Sequence, residues 1–434
     1  MKRVLFSIFL CIVLISSVFS ISMKTVDEVH SFDSVPMLDA YYDESEDSNM
    51  KFWDGCKVSL LTIGAGGPLY SWFGHSAFLV ETPDGRSYVY DYGTFSFNAD
   101  NFIGNFVMGR LWFMCFGTNA HFELEYIKEE GRRVSRVVLP LDAAQKKAVV
   151  EFLNINAEPD NRTYLYHHYK DNCATRIRDI INRTTDDAFR LWAEEQKGLT
   201  YRQQASRALC QNRFVLWGLD FLQSGNIDGK ATLWDEMFLP ENLERAVMEF
   251  YGLEKEIIVE GSGKYTEMVE KPQDNVLFSA ILGFALGLIS FLLIWFGKER
   301  AGYIYSAIVD FFFGILGSVL LFMMFFTNHD VTWFNENLIF VNPYLIVLGV
   351  FSLLALRRKG SAFKYKKLVN RSYMVLVGVI LLLALFKILM DGIFDQHNWS
   401  IIFTMLLFYL PNWFNMKRYK IFGKETESDM NLTY

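Results

Sequence analysis

The chain is poor in proline, histidine and cysteine, with 9, 7 and 5 of them among 434 residues. Glycine (29) and proline follow no three-residue period, which excludes a collagen-like rod, and 51% apolar residues exclude a disordered chain. No Cys-x-x-Cys pair occurs, so neither a thioredoxin-type redox motif nor a zinc ribbon is written here. There is no Gly-x-Ser-x-Gly elbow, and Gly64-Ala-Gly-Gly67 lacks the Lys and Ser/Thr of a phosphate loop. Positive charge is not in excess either: 42 Lys and Arg stand against 49 Asp and Glu.

Long apolar runs are present, and they divide the chain. Residues 54–274 read as a water-soluble domain large enough for its own core, whereas 275–415 are mostly apolar. The leader carries +2 and everything after Asp274 carries +5, so a whole-chain charge of −7 leaves −14 on the middle block. A domain that acidic is not expected to bind nucleic acid. Much of the excess lies in Asp39-Ala-Tyr-Tyr-Asp-Glu-Ser-Glu-Asp47, within a segment, 21–53, read as a solvated leader or linker.

Residues 1–20 have the pattern of a signal peptide. Lys2-Arg3 precede an apolar stretch from Val4 to Ile15, and Val18 and Ser20 suit the −3 and −1 sites of a signal peptidase. Beyond Asp274, five apolar segments are expected to span a bilayer: 276–296, 303–326, 338–356, 373–390 and the short 401–414. The loops after the first, third and fifth hold the Lys and Arg residues, and the other two hold none. By the positive-inside rule the soluble domain is then extracytoplasmic, and the tail 416–434 cytoplasmic. Asp310 and Lys387 are the charges inside spans, the latter expected to snorkel in a structural role.

Two motifs carry chemistry. Trp72-Phe-Gly-His-Ser-Ala-Phe-Leu-Val80 and Ser87-Tyr-Val-Tyr-Asp-Tyr-Gly93 flank a Thr-Pro-Asp-Gly turn signal, predicting a hairpin with His75 at its first strand's entrance. Pairing Glu81 with Arg86 sets Tyr92 across from His75; a one-residue slip substitutes Asp91, and either could orient the imidazole. Farther on, Asp171-Asn-Cys-Ala-Thr-Arg-Ile-Arg-Asp179 predicts a helix starting at Cys173, capped by Asp171 or Asn172, with Ala174, Ile177 and Ile181 on one face. A helix N-terminus stabilises a thiolate and later an oxyanion, and a neighbouring imidazolium would assist the first. The plainer alternatives are a structural histidine and a buried, inert cysteine. His167 and His168 beside Cys173 invite a zinc reading, but no further ligand pattern accompanies them, so neither metal nor cofactor is expected.

A strand His followed much later by Asn-Cys at a helix start resembles the permuted papain-like thiol acyltransferases, of which lecithin:retinol acyltransferase is one. More closely, Phe73-Gly-His-Ser-Ala77, Tyr90-Asp-Tyr-Gly-Thr-Phe95, Asn101-Phe102, Gly109-Arg-Leu111 and Asp171–Asp179 look like the bacterial Lnb-type periplasmic domain, over roughly 54–253. The resemblance implies an α+β permuted papain-like extracytoplasmic domain followed by an all-α transmembrane bundle. It implies lipoprotein N-acylation, in which an acyl chain moves from the diacylglyceryl group of the lipidated cysteine to that residue's own amine, leaving a lyso form. Diacylated lipoproteins and the bilayer would be the partners. Carried over to this chain, Cys173 would be the nucleophile and His75 the base, with Asp91, then Tyr92, as orienting group. Asn172 would lend an amide to the oxyanion hole, and Arg110 or Arg176 would hold a phosphate or carboxylate unless each is a structural ion pair. The aromatics between Trp72 and Phe113 would be mostly core, some lining an acyl-chain channel. Two other readings remain open: a papain-like amidase or lipid hydrolase of the envelope, and a non-enzymatic lipid- or partner-binding membrane protein.

Overall fold

The computed structural model of the chain describes residues 46–95, 101–357, 361–390 and 392–421. The signal segment 1–20, positions 21–45 of the acidic leader and positions 422–434 of the expected tail lie outside the described residues. The chain divides into two compact units, Met1–Gln211 with Lys230–Pro272, and Asn212–Gly229 with Gln273–Tyr434.

The first unit is α+β. Its strands are β1 (Lys57–Ile63), β2 (His75–Glu81), β3 (Ser87–Thr94), β4 (Leu111–Asn119), β5 (Val134–Val138), β6 (Thr163–Tyr166), the two-residue pair β7 (Lys197–Gly198) and β8 (Ala231–Thr232), and β9 (Glu256–Val259). Seven of them form one antiparallel sheet in the order β6-β4-β3-β2-β1-β5-β9. Its helices are α1 (Glu46–Gly55), α2 (Phe102–Val107), α3 (Ala120–Glu129), α4 (Ala143–Ala157), α5 (Cys173–Arg183), α6 (Ala188–Glu194) and α7 (Tyr201–Ala208). The chain then passes through α8 (Arg213–Leu222) in the second unit and returns for α9 (Leu233–Glu236) and α10 (Pro240–Tyr251).

Alternation along the strands gives the sheet two apolar faces. Phe78, Val80 and Tyr90 face one core with Val150 and Leu153 of α4, Ile177 and Ile181 of α5, and Leu243 and Val247 of α10. Leu61, Ile63, Ala77, Leu79 and Val89 face the other with Ala120 and Ile127 of α3. Burying Ile177 and Ile181 contributes roughly 1.5–3 kcal/mol each and locks α5 against the sheet. The acidic leader expected up to position 53 ends earlier: α1 belongs to this unit, and Trp53, 3% exposed, is part of the core.

The second unit is helical, with α11 (Val276–Trp295), α12 (Glu299–Phe326), α13 (Tyr344–Leu354), α14 (Ser361–Leu389) and α15 (Trp399–Ile421). Among the described residues four segments are long and apolar enough to cross a membrane, Val276–Trp295, Glu299–Phe326, Glu336–Leu354 and Ala362–Leu389. That is one fewer than the five expected: the apolar part of the last, Trp399–Phe414, falls short of the ~20 residues that cross a bilayer. Gly283 and Gly287 of α11 lie against backbone carbonyls of α15, where a Cβ would collide, so small residues set this approach. Asn212–Gly229, assigned by the sequence to the soluble domain, packs in this unit. Trp217 donates to the Thr404 hydroxyl (2.9 Å), Ser400 to Asp220 (2.6 Å), and Asn337 to the Phe221 carbonyl (3.0 Å). Lys387 pairs with Glu336 (2.6 Å) and donates to the Phe394 and Gln396 carbonyls, a structural arrangement.

Candidate active site

β2 opens at His75 because Gly74, at φ +74°, turns the chain out of the short helical turn Leu69–Phe73. A side chain is excluded there: a Cβ would stand 2.9 Å from the Ile63 carbonyl oxygen. The loop to β3 is closed by Thr82 N–H donating to the Arg86 carbonyl (2.9 Å) and Gly85 N–H to the Thr82 carbonyl (3.0 Å), with Gly85 at φ +85°. Glu81 therefore faces Ser87, and Ala77 faces Asp91. This is one residue off the Glu81–Arg86 pairing, and it places Asp91 rather than Tyr92 on the His75 side of the hairpin.

His75 Nε2 lies 2.5 Å from Asp91 Oδ1, the two side chains being 20% and 25% exposed. The carboxylate is fixed from behind: Gly93 N–H donates to Oδ1 (2.6 Å) and the Thr94 hydroxyl to Oδ2 (3.3 Å). Burial opposes an imidazolium, but the charge of Asp91, then that of Cys173, and hydrogen bonds to both hold the His75 pKa well above its ordinary value. Burial likewise opposes the Asp91 carboxylate, and the His75 charge with these hydrogen bonds nevertheless lowers its pKa. With Nε2 taken by Asp91, Nδ1 is the ring nitrogen left to the thiol.

Cys173 is the first residue of α5. Asn172 caps that helix through a reciprocal box: its Oδ1 accepts from Thr175 N–H (2.9 Å) while Thr175 Oγ1 accepts from Asn172 N–H (2.7 Å). The amide nitrogen donates to the His168 (2.7 Å) and Phe238 (2.9 Å) carbonyls. Both amide hydrogens of Asn172 are thus engaged by backbone carbonyls. Of the first backbone N–H groups of α5 that of Thr175 is taken by Asn172 Oδ1, and a helix start leaves the N–H groups before it as donors for an anion.

The other sequence-selected residues do not join this cluster. Tyr92 is buried beside Cys115, and its carbonyl accepts from the Tyr164 hydroxyl. Arg176 forms a bidentate pair with Asp171 (2.6 and 2.9 Å) and stacks 3.8 Å over the Tyr164 ring. Arg110 is exposed between α2 and β4. His167 Nδ1 accepts the Tyr169 and Lys170 N–H groups (3.2 and 3.1 Å), and burial beside His167 pushes the His168 pKa down to about 4. Among the described residues no three His, Cys, Asp or Glu side chains come together to hold a metal.

Cys56, Cys115, Cys173 and Cys210 are free thiols. Burial pushes Cys56 up to about 11 and Cys115 up to about 12, leaving both inert. Cys173 differs in having the His75 imidazole as its hydrogen-bond partner. Sequence reasoning missed Gly93 and Thr94, although Asp-x-Gly-Thr is the pattern of a carboxylate that takes up its own following backbone. Nor did it single out Tyr166, whose phenol burial, then the Cys173 charge, pushes upward.

Two family models match the chain: the Lnb N-terminal periplasmic domain over residues 52–207 and the Lnb transmembrane domain over 273–420. The chain belongs to the Lnb family. The first Lnb match contains His75, Asp91 and Cys173, and the second contains all four candidate spans, so the protein is a periplasmic domain fused to a membrane domain. The segment 208–272 between the Lnb matches includes α8 and α10. No curated protein and no solved structure matches the chain.

Proposed function

We propose that this Lnb-family protein is a membrane-tethered cysteine acyltransferase that moves an acyl chain within diacylated lipoproteins, and that its first unit has a permuted papain-like fold. The observation that carries the reading is the arrangement of Cys173, His75 and Asp91: a thiol at a capped helix N-terminus beside an imidazole that a carboxylate holds from its far nitrogen.

In the first half-reaction the Cys173 sulfur attacks an ester carbonyl of the diacylglyceryl group. The C–S bond forms, the ester C–O bond breaks, and the glyceryl oxygen leaves with the proton held by His75. In the second, the lipoprotein's terminal amine attacks the thioester; the C–N bond forms, sulfur leaves as thiolate, and His75 takes the amine proton. The oxyanion of each step is met by the N–H groups that open α5. Asp91 keeps the ring oriented and its charge compensated throughout.

On this reading the basic loops are cytoplasmic, the domain before Asp274 lies on the periplasmic side, and the tail is cytoplasmic if the short segment 401–414 also crosses. Since a diacylated substrate cannot leave the bilayer, tethering raises the effective concentration of enzyme at substrate. Mass spectrometry of lipoproteins from cells carrying wild-type, Cys173→Ala or His75→Ala protein tests the reading. Loss of the N-acylated lyso form in both variants is expected; unchanged masses would refute it, and altered wall fragments with unchanged lipoproteins would move the activity to hydrolysis.

A further inference from the structure

Residues 101–119 contain no Asp or Glu and a single Arg, inside a domain, 54–274, whose net charge is −8. They build α2 and β4. Ile103 (62% exposed) and Phe106 (50%) project from α2, and Trp112 (52%) projects from β4 opposite Leu165 (41%) of the edge strand β6. Scattered exposed apolar residues are ordinary, but four large ones on and beside a stretch stripped of carboxylates are not.

Behind this surface runs a wall of rings. Phe106 stacks on Phe102, Phe102 on Phe95, Phe95 packs on Phe113, and Phe113 stacks 4.1 Å from Tyr166, both of these last rings packing against the core cluster that holds Cys173. An apolar path thus joins the exposed tip to the thiol. The chain has four bilayer-crossing candidates, so the domain is tethered to a lipid bilayer. Carboxylates would be repelled by anionic headgroups there, and a water-facing surface gives no reason for their absence.

We infer that α2 and the β4–β6 edge enter the lipid surface, and that the ring wall guides one acyl chain of a bilayer lipid toward Cys173. The inference rests on the reading of Cys173 as an acyl acceptor only for its second half.

The full chain in phosphatidylglycerol nanodiscs tests it with two variants, Phe106→p-benzoylphenylalanine and Ile155→p-benzoylphenylalanine, the latter at an exposed position of α4. After irradiation, lipid adducts at 106 should exceed those at 155 at least fivefold. Equal yields, or a covalent dimer at 106, would overturn lipid contact, the dimer showing that a second copy occupies the surface. This readout does not depend on turnover, so it stands or falls separately from the acyltransferase reading. Ile103→Asp combined with Phe106→Asp should lower transfer from a bilayer-embedded diacyl lipopeptide at least tenfold while leaving cleavage of a water-soluble short-chain thioester unchanged. Equal loss on both substrates would overturn the guiding role.

Discussion

His75 Nε2 meets Asp91 Oδ1 at 2.5 Å although the two residues are not directly paired across the hairpin; Asp91 sits opposite Ala77 and reaches back along the strand. The carboxylate can do this because Gly93 and Thr94 bind its oxygens from behind. Asp91→Asn keeps the shape and removes the charge. Turnover should fall about 10²-fold or more. The imidazolium should also be lost at lower pH, so the alkaline limb of the pH–rate profile should move down. An unchanged profile would detach Asp91 from the reaction.

The same pair makes stability depend on pH. The folded His75 pKa is raised above its ordinary 6.5, so its contribution is fully present below that value and lost as pH rises through the folded value. The folded Asp91 pKa is lowered from 3.8, so its contribution is present above 3.8 and lost as pH falls through the folded value. The Tm gap between wild type and Asp91→Asn should therefore be widest between about 4 and 6.5 and close toward alkaline pH, as thermal melts at several pH values would show.

A Cβ at Gly93 would overlap the His75 ring, so Gly93→Ala should displace the imidazole without disturbing the hydrophobic core. Misplacement of about 1 Å is enough to cost ~10²-fold in rate. Activity and the rate of Cys173 alkylation should both fall while Tm changes little; a rate equal to wild type would mean that the ring has room to move.

The hairpin, the helix start at Cys173 and the acidic, tethered character of the first unit were legible in the sequence, because turn residues, a cap and charge asymmetry act locally. The register was not. Glu81 opposite Arg86 and Glu81 opposite Ser87 preserve similar turn chemistry, and only the closure of Thr82 on Arg86 separates them. The engagement of Asn172 was hidden too, since one of its acceptors, the Phe238 carbonyl, lies 66 residues away. The partnership of Asn212–Gly229 with the membrane helices rests on contacts such as Trp217 with Thr404, which no local pattern announces.

Asn172 and Arg176 should behave as structural residues. Asn172→Ala removes a cap, about 1 kcal/mol, and leaves buried carbonyls of His168 and Phe238 without donors, about 1–3 kcal/mol more. Arg176→Ala breaks the Asp171 pair and the stack on Tyr164. Thermal melts should show both as destabilised. For Arg176→Ala, KM for a lipopeptide should stay within about twofold at a temperature where the variant is folded. A large rise in KM with unchanged Tm would instead make Arg176 a substrate anchor.

The central claim is that Cys173 carries the acyl chain. Purified protein mixed with a synthetic diacyl lipopeptide whose amine is blocked, quenched in acid and digested, should yield the Cys173 peptide heavier by one acyl group. Hydroxylamine should remove that mass, and Cys173→Ser protein should show no hydroxylamine-labile adduct. Transfer to a free amine by Cys173→Ala protein at the wild-type rate, with no acylated Cys173 peptide in the wild type, would contradict the account.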